Sequence, residues 1–230
     1  MRVRYLLFVF VVFSCEIQEK GVEIDSIPFN YFSSPLFKCW ASGYLDYIKG
    51  ENLLIDWTIP EKALGKASDS VYDIVSLGEG GRITLSFNKT IYNGKGYDFA
   101  VFENSFNGRF LERAFIEVSS NGVDFVRFDT ETLWDTTVDS YGMMDSSRLK
   151  GFAGLHKVGY GTPFDLDELK EKENVINGKI DLNNIRFIRV VDIIGDGRER
   201  DSKNNLIYDP YPTNGSSGFD LDAIGVYNCR

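Results

Sequence analysis

Apolar and polar residues alternate with period two along several stretches of the chain. In residues 82–87, Ile83, Leu85 and Phe87 alternate with Arg82, Thr84 and Ser86. That pattern predicts a strand with one buried face. Residues 71–77 precede it across Gly78-Glu79-Gly80-Gly81, which reads as a hairpin-like link. Residues 97–103 form a third run, after the turn residues Asn93-Gly94 and Lys95-Gly96. Residues 114–119 and 123–128 flank Ser120-Asn121-Gly122, and Asn-Gly between alternating runs is a strong hairpin signal because it accepts positive φ. Residues 185–193 set Arg186 and Arg189 among apolar neighbours, and residues 219–227 close the chain.

A helix is predicted only over 165–172, where Asp165 and Glu168 have the spacing of a capping box. Residues 129–163 and 195–218 are long, weakly patterned and rich in glycine, and loops of that length are commonly functional or clamped. Strands follow strands instead of alternating with helices, which disfavours α/β folds. The expected architecture is all-β: an antiparallel β-sandwich with long loops and one short helix.

Beyond the strands, the N-terminus changes the picture. Arg2 and Arg4 precede an apolar run over 5–13 and then Ser14-Cys15. The run is too short to span a bilayer as a helix, which takes about 20 residues. It reads as a signal peptide over 1–14. Val12-Phe13-Ser14-Cys15 resembles a bacterial lipobox, with Phe13 bulkier than usual, and implies lipidation of Cys15. Residues 15–27 then form the lipidated terminus and tether, and 28–230 a single domain. The expected location is the cell envelope, lipid-anchored and extracytoplasmic. Of three cysteines, Cys39 and Cys229 remain, and an exported pair favours a disulfide joining the first strand to the last.

The 230 residues carry a net charge of −9, which becomes −11 once Arg2 and Arg4 leave with the signal peptide. That balance argues against a nucleic-acid partner, whose phosphates need a basic face. A hydrophobic fraction of 43% supplies a core and excludes a disordered chain. One histidine, His156, excludes His-rich metal sites. No G-x-S-x-G motif accompanies it, so catalysis is not expected.

Residues 116–128 followed by 185–192 resemble the galactose-binding-like jelly-roll of discoidin and carbohydrate-binding modules. The segments 63–65, 75–87, 98–104, 159–166 and 218–225 resemble a family of bacterial secreted and cell-surface proteins. The likeness covers about 63–227 and implies a surface β-sandwich that binds and does not catalyse. The segment from Gly80 to Asn104 also resembles lipoproteins that capture corrinoids.

Two clusters are candidate chemistry. Glu103 and Asn104 end one strand, Asp192 ends another, and Asp220 and Asp222 begin the last. Antiparallel pairing of the last two strands would bring Asp192 to Asp220 or Asp222, and Glu103 or Asn104 could join them. Such carboxylates repel unless a cation intervenes, and a hard, structural Ca²⁺ suits oxygen ligands. Tyr208-Asp209-Pro210-Tyr211-Pro212 is the second, an extended loop offering Tyr208 and Tyr211 as stacking faces and Asp209 as a hydroxyl partner. The expectation is a lipid-anchored binding module for a glycan. Its rivals are an envelope scaffold binding another protein, corrinoid capture, and a glycan-cleaving enzyme.

Overall fold

A computed structural model describes residues 27–230. Cys15 and the signal segment lie outside the described residues. The strands are β1 (Cys39–Trp40), β2 (Gly43–Ile48), β3 (Val75–Ser76), β4 (Arg82–Ile91), β5 (Phe99–Glu103), β6 (Ala114–Ser119) and β7 (Val126–Arg127). They continue as β8 (Glu131–Thr132), β9 (Leu149–Lys150), β10 (Thr162–Phe164), β11 (Ile185–Asp192), β12 (Asp196–Arg200), β13 (Leu206–Tyr208) and β14 (Asp220–Val226). One five-stranded sheet runs β1-β14-β5-β10, with β3 beside the start of β14. The second runs β2-β4-β11-β6-β7. Both are antiparallel, and β8-β9 and β12-β13 are small separate ribbons. The protein is an all-β sandwich.

The predicted alternation sets the core. Ile83, Leu85 and Phe87 of β4 face Ile188 and Val190 of β11 and Ile116 and Val118 of β6 within one buried cluster, which also takes Phe99, Val101, Leu221, Ile224 and Val226 from the opposite sheet. The outer face of β5 is buried too, because Phe37 and Trp40 pack on Phe102. Strands covered on both faces read as continuous apolar runs instead of alternating ones. The outer face of the second sheet is mixed: Phe115 of β6 and Val191 of β11 join a second apolar cluster with Leu149 and Phe152, and beside them the face is polar. Glu117 pairs there with Arg189 at 3.2 Å and Arg127 at 2.7 Å, across neighbouring strands in register.

Three expectations change in detail. Residues 78–81 link different sheets and do not turn a hairpin, since β3 pairs with β14 while β4 lies in the other sheet. Glycine is needed there for close approach: a Cβ on Gly81 would stand 1.9 Å from the Leu77 carbonyl oxygen. The expected strand over 123–128 shortens to β7, because the Asn121 side chain accepts from the amides of Val123 and Asp124 and widens the turn. The expected helix becomes a 3₁₀ turn, Leu166–Leu169, and a single α turn, α1 (Glu173–Ile176). Asp165 caps the first by accepting from the Asp167 amide at 2.9 Å.

The disulfide does form. Cys39 and Cys229 are joined with 6.5 Å between their Cα atoms, and β1 lies directly against β14. The bridge closes a separation of 190 residues, so it restricts the unfolded chain strongly.

Candidate functional site

The strands that end at one rim of the sandwich deliver a set of buried acids. Glu103 closes β5 and Asp220 opens β14, next to each other because Leu221 pairs with Glu103. A bulge between Leu221 and Ala223 then breaks the period. Leu221 and Ile224 both enter the core although they are three residues apart, and Ala223 packs on the outer face with Phe102. Glu112 and Arg113 belong to the segment that enters β6. Asp192 ends β11, and Asp209 follows β13.

These acids divide by their partners. Asp192 accepts from the Phe219 amide at 2.7 Å with one oxygen and from the Gly80 amide at 2.8 Å with the other. It ties the end of one sheet to the start of β14, although β11 and β14 do not pair as expected. Asp209 accepts from the Arg113 Nε at 2.7 Å and from its backbone amide at 2.8 Å. Arg113, fully buried, also donates to the Tyr208 carbonyl and lies 5.0 Å from the Phe152 ring centre. Asp209 is therefore a structural counter-ion and not the ligand-facing acid expected of that loop.

Asp220 accepts from the Ser76 hydroxyl and from Asn104 Nδ2 at 3.0 Å. The same Asn104 nitrogen donates to the Val71 carbonyl at 3.0 Å, so Asn104 braces the 71–73 loop against β14. Glu103 accepts from the Ser105 amide at 2.9 Å. Asp222 accepts from the Ser68 amide at 3.0 Å, on a different neighbour set from Asp220. Glu112, 5% exposed, has no hydrogen-bond donor among the described residues.

Burial pushes all of these acids up. Asp220 and Asp222 rise to about 7, opposed by their hydrogen-bond donors. Desolvation lifts Glu112 well above the usual carboxylate range, and the nearby charges of Asp220, Glu103, Asp209 and Asp192 add to it. Glu103 and Asp192 are lifted in the same direction, mainly by burial. Asp209 is raised by burial even against the attraction of Arg113.

A cavity of about 620 Å³ opens onto this rim. Its polar floor includes Glu112, Asp220, Asn104 and Ser216, and its walls include Trp57, Tyr72, Phe106, Phe110 and Tyr141. Phe106 stacks on Phe110 with centres 5.9 Å apart, and Tyr141 follows at 6.3 Å. Tyr141 is 85% exposed, so it presents a ring to whatever enters. The walls are fixed from below. Leu54 donates to the Gly215 carbonyl and Gly215 donates to the Asn52 carbonyl, at 2.9 and 3.1 Å. Glu79 joins Asn52 to the 212–216 loop, accepting from the Thr213 amide at 3.0 Å and from the Asn52 side chain at 2.9 Å.

Against the sequence expectations, the cavity gathers Asn104 and Asp220, with Glu103 bonded to an amide behind them. The Tyr208 loop supplies Pro212 to the wall, but Tyr208 lines a separate groove of about 340 Å³ with Trp134 and Leu206. Tyr211 is half-buried and does not line the cavity. His156 is exposed and does not line it either. Calcium was expected on Glu103, Asn104, Asp192, Asp220 and Asp222. Among the described residues no group of three or more His, Cys, Asp or Glu is placed to hold a metal ion. Asp192 directs both oxygens to amides, and Asp222 faces Ser68. Sequence reasoning missed Glu112, Tyr72, Phe106 and Phe110. The one local signal is Asn107-Gly108 between two phenylalanines, a turn that raises both rings beside the acids. No protein-family model matches the chain, and no curated protein matches it either.

Proposed function

We propose that the protein is a lipid-anchored, extracytoplasmic binding module that recognises a glycan in the aromatic-walled cavity at the rim of its sandwich. The observation that carries this reading is the pairing of flat apolar rings with carboxyl and amide groups in one concave site. A pyranose has the same division, with C–H faces that stack on rings and hydroxyls that need hydrogen-bond partners. The volume of about 620 Å³ suits two or three sugar residues in order of magnitude. Phe106, Phe110 and Tyr141 supply the stacking row, while Asn104, Glu112 and Asp220 supply the polar contacts. The likeness of 116–128 and 185–192 to galactose-binding-like jelly-rolls supports the same reading.

A glycan array probed with the full chain tests this. The expectation is binding to a restricted set of oligosaccharides, lost in Phe110→Ala/Tyr141→Ala at unchanged melting temperature. An array without hits, or hits indifferent to the two rings, would overturn it. The anchor is tested separately by labelling with a fatty-acid analogue, which Cys15→Ser should abolish.

A further inference from the structure

Resting on the glycan reading, we infer that the cavity selects a sugar carrying a free, positively charged amine over its neutral N-acetylated counterpart. Three observations converge. None of the residues lining the cavity is Lys, Arg or His, while two, Glu112 and Asp220, are acids. Glu112 is nine-tenths buried, faces the cavity, and accepts no hydrogen bond from the described residues. Ring faces surround it, and these attract cations through their quadrupole.

The groups around Glu112 give it no internal cation. Asp220 on β14, Glu103 on β5, Asp192 on β11 and Asp209 after β13 all raise its affinity for a proton. Arg113 is next in the chain; its Nε and Nη2 are directed to Asp209 and the Tyr208 carbonyl, its Nη1 is buried without a partner, and no hydrogen bond joins it to Glu112. Tyr47 on β2 senses Asp220 and adds no positive charge. At the rim, Lys62 lies 6.0 Å from the Trp57 ring and donates to the Tyr72 carbonyl at 3.0 Å, which keeps it engaged there. An incoming ammonium supplies donors to Glu112 and replaces the proton that burial keeps on the acid. That proton passes to the buffer, and no covalent bond changes.

The test is titration calorimetry of the full chain at pH 6 with the glucosamine trisaccharide and with its tri-N-acetyl form, each in two buffers of different ionisation heat. The free-amine sugar is expected to bind about tenfold tighter, the difference between a charge-assisted and a neutral hydrogen bond. Its heat should depend on the buffer, showing proton release, while that of the acetylated sugar should not. Glu112→Gln should bring the two affinities within about twofold. Equal binding of both sugars by the wild type, with no proton release, overturns the inference and leaves the glycan reading standing. A preference that survives Glu112→Gln also overturns it. Binding of neither sugar overturns it, and the array then decides the glycan reading separately.

Discussion

Glu112 and Asp209 are both buried acids near one rim of the sandwich, and they have opposite surroundings. Asp209 gives both oxygens to Arg113, whose guanidinium is as deeply buried as it is. Glu112 sits beside a cavity with no donor of its own. The pair teaches that burial of an acid does not mark a binding site; an unfilled set of lone pairs facing open space does. Asp192 belongs with Asp209, since two amides occupy it. Asp220 is intermediate: Ser76 and Asn104 hold it, yet it still lines the cavity.

Substitution should separate the two kinds of acid. Asp209→Ala leaves Arg113 as an uncompensated buried charge and should cost about 3–5 kcal/mol in denaturant unfolding. Asp192→Ala strips the Gly80 and Phe219 amides of their acceptor and should cost about 2–3 kcal/mol. Glu112→Gln removes no internal hydrogen bond and should change stability by less than about 1 kcal/mol, in either direction. A large loss from Glu112→Gln, or a negligible one from Asp209→Ala, would erase the distinction.

Between these in size is a pH effect. Asp220 and Asp222 hold their protons to about 7 in the folded protein, against 3.8 as the ordinary value. The folded state therefore binds more protons than the unfolded chain between those limits. This stabilisation is complete below the ordinary value and is lost as pH rises to about 7. Asp129, Asp145 and Asp167 are lowered and act in the opposite sense, but they lie near solvent and are screened. The melting temperature should fall by roughly 10 °C or more between pH 5 and pH 8, and Asp220→Asn/Asp222→Asn should reduce that slope without removing it, since burial raises Glu103, Glu112 and Asp192 in the same direction. A melting temperature that climbs over the same interval would contradict the burial of these acids.

The sandwich was legible where one strand face is buried. Ile83, Leu85 and Phe87 announce β4, and Ile188 and Val190 share its core as their spacing requires. The Cys39–Cys229 bridge was legible because few pairings were open. The sheet change at 78–81 was not, since the same glycines serve a hairpin and a crossover. Neither was the bulge at 221–223, which turns Asp222 toward Ser68 and away from Asp220's partners. The acids at the strand ends were visible, but whether amides satisfy them depends on residues far away in the chain, such as Gly80 for Asp192. The cavity was hidden for the same reason: Trp57, Tyr72, Phe110, Tyr141 and Pro212 come from separate loops.

Carboxyl carbon NMR of the full chain, with an oligosaccharide selected on the array added stepwise, tests the binding role of the cavity most directly. The Glu112 and Asp220 resonances should move with saturation while those of Asp192 and Asp209 stay in place. Movement at Asp192 and Asp209 with Glu112 unchanged would contradict the account.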